Sequence, residues 1–379
     1  MNTTKIWLSS PHMGGTEQIY VNEAFETNWV APLGPNVTGF ENDLQKFIGN
    51  NSHVAALSSG TAALHLGLIL LDVKAGDEVI CQSFTFSASA NPILYLGATP
   101  IFVDSETETW NMCPIALEEA ILDSVSKGKK PKAIIPVHLY GMPYKVDEIR
   151  KIANHYEIPI LEDSAEALGS HYKGTMCGTF GDISALSFNG NKIITTSGGG
   201  ALVSKKETIK EKAIFLATQA RDAAPHYQHS HVGYNYRLSN ISAGIGRGQM
   251  EVLQKHINLR REMHDFYMNL FKNIKEVIVF QEPNSDYYSN HWLSCITINS
   301  SENGKTSEQL RLALENDNIE SRPLWKPMHL QPIFEKYPYY GNTVSENLFN
   351  NGLCLPSGSN LNNDDKQRII ETVSRFFMK

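Results

Sequence analysis

The chain has 379 residues, 41% of them hydrophobic and 19% charged, which is long enough for two packed cores and ordinary for a globular protein. Its formal net charge is −7 with no long basic run, which argues against a nucleic-acid partner and leaves any anionic ligand to local donors. The five cysteines (Cys81, Cys113, Cys177, Cys295 and Cys354) are scattered and form no CxxC pair, so neither a disulfide framework nor a zinc knuckle is expected, and a reducing cytoplasm fits.

The opening MNTTKIWLSSPHMGG has no charged segment followed by a long apolar core, so no signal peptide is expected. The longest apolar stretch, LHLGLILL at 64–71, is too short to span a bilayer. HVAAL (53–57) reads as a strand, SSGT as a turn and AALHLGLILLDV (62–73) as a helix. DEVICQ (77–82) is strand-like, SFTF a loop, and a helix is expected to begin near Ser87. IFVD (101–104) is a strand and PIALEEAILDSV (114–125) a helix; AIIPVHLYG (133–141) and IPILED (158–163) are strands flanking the helix VDEIRKIANHYE (146–157). ISALSF (183–188) and ALVS (201–204) complete the series.

Strands alternating with helices imply crossover units and a largely parallel sheet, and the almost wholly apolar strands imply helices on both faces. The alternation fades after about residue 205. A long helix is expected from Ser239 to about Asn273, followed by CITIN (295–299), a helix SEQLRLALENDN (307–318), the proline-punctuated RPLWKPMHLQP and a helix DDKQRIIETVSRFF. The expectation is therefore a large α/β domain over 1–250 and a smaller α+β domain over 251–379.

Ligands in such sheets gather at the C-terminal ends of the strands. After HVAAL come Ser58, Ser59, Gly60 and Thr61 opening a helix, which reads either as a phosphate cradle or as an ordinary N-cap. No GxxxxGK[ST] occurs. After IPILE comes Asp163, with Glu166 beyond it; a carboxylate at a buried strand end needs a cation or a cap. After ISALSF comes Lys192, either a solvated loop lysine or one held for covalent chemistry. Phe84 and Phe86 follow DEVICQ, and His138 follows AIIPV, as a core histidine or a cofactor neighbour. Pyridoxal 5′-phosphate demands this set: a lysine for its aldehyde, a carboxylate for its ring nitrogen, an aromatic side chain against the ring and a phosphate cradle. Taken together, the residues favour imine chemistry at Lys192, with Gly198, Gly199 and Gly200 allowing a sharp turn beside it.

The segments SSGTAALHLGL, SFTFSASANPI, GATPIFVD, VHLYGMP, EDSAEALGS, SFNGNK…GGG, GYNYRLSNISAGIGRGQ and RPLWKPMHLQP together resemble the DegT family of nucleotide-sugar aminotransferases over essentially the whole chain. The resemblance implies the type I fold of pyridoxal-phosphate-dependent transferases, with a mostly parallel seven-stranded sheet and a small C-terminal domain. It implies that Lys192 carries the cofactor and Asp163 binds the pyridine nitrogen. Phe86 would stack on the ring, Gly60, Thr61 and Ser187 would hold the phosphate, Glu166 would lie beside the cofactor, and Asn235 would reach in from a partner subunit, making a homodimer with a shared site. TTSGGG (195–200), QHSHVGYNYRLSN and RPLWKPMHLQPIF are similar to the branch acting on UDP-4-keto-6-deoxy-N-acetylhexosamine in the N-acetylbacillosamine pathway. That similarity implies transfer of an amino group from glutamate to C4 of the sugar. Lys192, where a related deoxygenating branch has histidine, sets the chain on the aminotransferase side.

Arg221, Arg237, Lys326 and His329 are candidates for substrate contact, the last two stiffened by Pro323 and Pro327. His226, His229 and His231 could suit zinc, but no fourth ligand is evident, so no metal is expected. Tyr95, Trp7 and Trp29 read as core or interface residues. The alternatives are a dTDP-keto-sugar substrate, amination at C3, and a non-catalytic regulator on the same fold.

Overall fold

The computed structural model describes residues 4–49, 51–301 and 304–378. Seven strands build the large sheet: β1 (His53–Leu57), β2 (Glu78–Gln82), β3 (Thr99–Val103), β4 (Ala133–Ile135), β5 (Leu161–Asp163), β6 (Ile183–Ser187) and β7 (Gly200–Ser204). Their order is β1-β7-β6-β5-β4-β2-β3, with the two halves joined by parallel bridges from Ile134 to Ile160 and from Val137 to Asp163. All neighbours are parallel except β7, which runs antiparallel to both β1 and β6. The reversed strand brings its N-terminal glycines to the sheet edge where the other strands end.

Helices cover both faces, as the apolar strands require. Leu64, Leu66 and Leu68 of the helix Gly60–Leu70 pack with Ala55, Leu57, Leu161 and Leu202. On the other face, Leu117 and Ile121 of Pro114–Ser126 and Ile149 of Val146–His155 pack with Ile80, Ile101 and Ile134. Four helices stand outside the sequence reading: Glu17–Glu26, Pro35–Ile48, Glu207–Ala217 and Val344–Asn351. The first has weak amphipathic patterning, and two of its ten residues, Glu17 and Ala24, are buried. The expected strand 133–141 is short because Leu139–Gly141 turns as a 3₁₀ helix.

The long helix is Asn240–Phe271, about 48 Å at 1.5 Å per residue. A Cβ at Gly248 would lie 2.6 Å from the Glu17 backbone nitrogen, so glycine there lets the N-terminal helix dock closely. The expected boundary at residue 250 falls inside this helix: Ala243, Leu253 and Ile257 pack into the cluster under β1, β6 and β7, and Met263, Tyr267 and Phe271 into that of the second sheet. A four-stranded antiparallel sheet (Val277–Val279, Ser294–Ile298, Gly352–Leu355 and Arg322–Pro323) forms the small domain. Two segments cross the expected division. Ile6 bridges Ile319 and is buried in the small domain's core, and Tyr339–Tyr340 extends the large sheet beside β3. Apolar side chains far apart in sequence find one another there, which no local pattern specifies. Among the described residues no helix is long and apolar enough to cross a membrane.

Candidate active site

A cavity of about 580 Å³ lies at the C-terminal ends of β1, β2, β5 and β6. Gly60, Thr61, Phe86, Asp163, Glu166, Ser187 and Lys192 all line it. The sequence placed them 132 positions apart; the sheet order brings them to one opening.

The phosphate side is a helix N-terminus. Ser59 caps Gly60–Leu70 by accepting from the Ala62 N–H at 3.0 Å, leaving Gly60 and Thr61 in the first turn facing the cavity. The helix dipole favours an anion at this point. The start of β7 packs directly behind it: a Cβ at Gly200 would sit 2.3 Å from the Ser59 carbonyl carbon and 2.4 Å from the Gly60 nitrogen. Only glycine fits, which explains the end of the GGG run.

Asp163 ends β5 and is 4% exposed. Its Oδ2 accepts from the Ser89 hydroxyl at 2.7 Å and its Oδ1 from the Ala165 N–H at 3.1 Å. Burial pushes its carboxyl above the ordinary value, opposed by these hydrogen bonds and by the charge of Lys192. A desolvated carboxylate of this kind is stabilised by a cation brought against it, and a protonated ring nitrogen is such a cation.

Lys192 sits in the loop between β6 and β7. The Phe188 N–H donates to the Gly199 carbonyl (2.8 Å) and the Thr196 N–H to the Phe188 carbonyl (3.0 Å), closing the loop on itself. Its Nζ lies 3.1 Å from Glu166 Oε1 and 4.0 Å from the centroid of the Trp292 ring. Glu166 is buried, and burial raises its carboxyl to about 7 against the pull of the Lys192 ammonium. The other oxygen, Oε2, accepts from the Tyr140 N–H at 2.7 Å. Tyr140 has φ of 54°, a left-handed conformation costing a non-glycine residue about 1–3 kcal/mol, and this turn aims its N–H at Glu166. The set fits pyridoxal 5′-phosphate: an amine in contact with a carboxylate, a second buried carboxylate with no contacting cation among the described residues, and an anion cradle, all on one wall. Phe86, 58% exposed, stands at the mouth with its ring 5.6 Å from that of Trp325.

The other sequence candidates lie outside this lining. Arg237 donates to Glu41 and to the Ala56 carbonyl, tying β1 to the helix Pro35–Ile48. Both ring nitrogens of His329 are engaged, with Ser83 at 2.7 Å and Glu346 at 3.3 Å, and its ring stacks on Tyr339. Lys326 is exposed. Arg221 lies over the Tyr227 ring in an exposed loop, and Asn235 is exposed on a segment bridged to Thr218. His226, His229 and His231 face different neighbours: Gln228, the Gln219 carbonyl and the Phe215 ring. Tyr95, Trp7 and Trp29 are not core residues; they are 57%, 52% and 41% exposed.

His138 is a core histidine. Its Nδ1 accepts from the Tyr144 N–H (3.3 Å), so Nε2 carries the proton and donates to Glu162 Oε1 at 2.6 Å. Glu162 also accepts from the Phe180 and Gly181 N–H groups, both at 2.9 Å.

Several participants escaped the sequence reading. Ser89 was detectable, lying just past a strand end in the SFTFSAS segment. Trp292 and Arg260 carried no local signal. Arg260, fully buried on the long helix, donates to the carbonyls of Lys192 (3.3 Å) and Trp292 (2.6 Å), while Trp292 Nε1 donates to the Asn191 carbonyl at 2.7 Å. These bonds fix the lysine loop from behind.

A family model described as the DegT/DnrJ/EryC1/StrS aminotransferase family matches residues 11–374. EpsN of Bacillus subtilis (strain 168), whose name describes a pyridoxal phosphate-dependent aminotransferase, is 51% identical over 377 residues, covering 98% of this chain and 96% of its own. The GDP-perosamine synthase of Escherichia coli O157:H7 is 38% identical over 97% of each chain. The crystal structure of a DegT DnrJ EryC1 StrS aminotransferase from Brucella abortus superposes with a TM-score of 0.88 at 28% identity over 96% of each chain. With a match spanning nearly every residue and the seven-stranded architecture to go with it, the chain belongs to the DegT/DnrJ/EryC1/StrS aminotransferase family.

Proposed function

We propose that this protein transfers an amino group from glutamate to C4 of a UDP-4-keto-6-deoxy-N-acetylhexosamine, in the cytoplasm, by a ping-pong reaction. It is an aminotransferase, and its cofactor is pyridoxal 5′-phosphate. The observation that carries the reading is the convergence of Lys192, Asp163, Glu166 and the Ser59–Thr61 turn on one cavity.

The bound cofactor supplies an aldehyde carbon and a ring that withdraws electrons from the substrate's reacting carbon. Lys192 Nζ would hold the cofactor at its aldehyde carbon in the resting enzyme and, once displaced by the donor amine, would carry the proton from the donor α-carbon to that cofactor carbon, and in the second half-reaction from there to the sugar carbon that receives the amine. Glu166 keeps that amine oriented through the 3.1 Å contact. Asp163 holds positive charge at the ring nitrogen, and Ser89 fixes the carboxylate that does so. The helix N-terminus and Ser187 would bind the phosphate, and Phe86 would cover one face of the ring.

The segments QHSHVGYNYRLSN and RPLWKPMHLQPIF support the UDP-sugar, while the GDP-perosamine synthases of three organisms among the relatives support a second reading, a GDP-keto-sugar. Exposed Phe86, Tyr95 and Trp29, with Asn235 outside this chain's own cavity lining, support a homodimer whose partner completes the site. A half-reaction tests the reading. Protein loaded with pyridoxamine phosphate is offered UDP-, GDP- and dTDP-4-keto sugars, and recovery of the pyridoxal absorbance is followed. Recovery with the UDP-sugar alone is expected; recovery with the GDP-sugar alone selects the second reading; recovery with none refutes both.

A further inference from the structure

The cavity has an anion problem on the side away from the helix N-terminus. Its charged lining consists of Asp163, Glu166, Glu320, Lys192 and Arg322, so among the described residues acids outnumber cations there. Lys192 is committed to the chemistry, which leaves Arg322 as the one Lys or Arg side chain free to hold a substrate carboxylate. Its backbone is fixed, since Arg322 pairs with Cys354 on the small sheet. Its side chain is 66% exposed and, among the described residues, is held by Glu320, donating from Nε (3.0 Å) and one terminal nitrogen (2.8 Å) to Oε1. Glu320 is 16% exposed and anchored at its other oxygen by the Leu8 N–H at 3.1 Å. One partner is thus anchored in the wall and the other can move, and an exposed pair of this kind is worth only about 0–1 kcal/mol.

We infer that Arg322 determines amino-donor specificity by exchanging its internal carboxylate, Glu320, for a carboxylate of the donor, and returns to Glu320 when the keto-sugar occupies the cavity. The guanidinium fork suits either carboxylate. Two chemically different substrates then share one cavity without leaving an uncompensated cation in it during the second half-reaction. This inference rests on glutamate being the donor.

The test uses holoenzyme and two non-reacting probes, glutarate for the donor and UDP for the sugar nucleotide, with dissociation constants measured by calorimetry alongside the glutamate half-reaction. R322A, at an exposed position, is expected to weaken glutarate about 10- to 100-fold, the range for a lost hydrogen bond to a charged group, and to leave UDP unchanged. E320Q keeps an acceptor for Leu8 but removes the competing charge, so it should tighten glutarate a few-fold in the wild-type background and not in R322A. Unchanged glutarate binding in R322A, weakened UDP binding instead, or an equal E320Q gain in both backgrounds would overturn the exchange. Wild-type enzyme that does not react with glutamate at all would refute the donor assignment itself, a different failure.

Discussion

Replacing Glu166 with glutamine probes the balance at the centre of the site. The carboxyl of Glu166 rises from 4.5 to about 7 on folding, because the burial penalty exceeds the attraction of Lys192 and the Tyr140 hydrogen bond. At about 1.4 kcal/mol for each tenfold change in proton affinity, the ionised carboxylate is disfavoured in the folded state by roughly 3 kcal/mol. The folded value lies above the unfolded one, so this contribution is fully present below pH 4.5 and is lost as the pH rises towards 7. Glutamine has nearly the same shape and no charge. Apo-protein carrying E166Q should therefore melt close to wild type at pH 4.5 and above it at pH 8, the gap opening between those values. Differential scanning calorimetry across that range reads the effect. A variant that is less stable than wild type at pH 8 would mean that the Lys192–Glu166 attraction outweighs burial, and the electrostatic account of the site would be wrong.

Lys192→Ala should keep its fold, bind cofactor without the visible absorbance of the lysine-bound form and show no turnover; transamination at the wild-type rate would remove Lys192 from the mechanism. Gly200→Ala places a methyl group against the Ser59–Gly60 backbone, an overpacking expected to cost about 1–3 kcal/mol, and should weaken phosphate binding as well, measured by melting with and without pyridoxal phosphate. His138→Leu removes a buried hydrogen bond to the Glu162 carboxylate and should destabilise by about 1.5–3 kcal/mol, the range for a hydrogen bond to a charged group, with KM for both substrates unchanged; urea unfolding and steady-state kinetics together check it.

Asp163, Glu166 and Lys192 were legible because each follows an apolar run that could only be a buried strand, and a charged residue at such a point demands an explanation. The SSGT turn was legible for the same reason. What those residues touch was not. Ser89 reaches Asp163 across 74 positions, Trp292 reaches the Asn191 carbonyl beside Lys192 across 101, and Arg237 is taken up by Glu41 across 196. Arg237 and His329 had the residue types of substrate contacts, but whether a cation or an imidazole faces a cavity or a neighbouring carboxylate depends on packing that no local pattern encodes.

The sequence by itself determined the strand–helix alternation, the buried strands and the chemistry-bearing residues at their ends, because hydrophobic periodicity and turn chemistry act over a few residues. Tertiary structure alone decided the strand order, the reversal of β7, the docking of Ile6 and Tyr339–Tyr340 across the expected division, and which neighbours the charged groups of the cavity meet. Those outcomes arise from contacts that local patterning does not specify, from the 26 positions between Glu166 and Lys192 to the several hundred between Ile6 and Ile319, where burial and electrostatics select a partner only after the chain has folded.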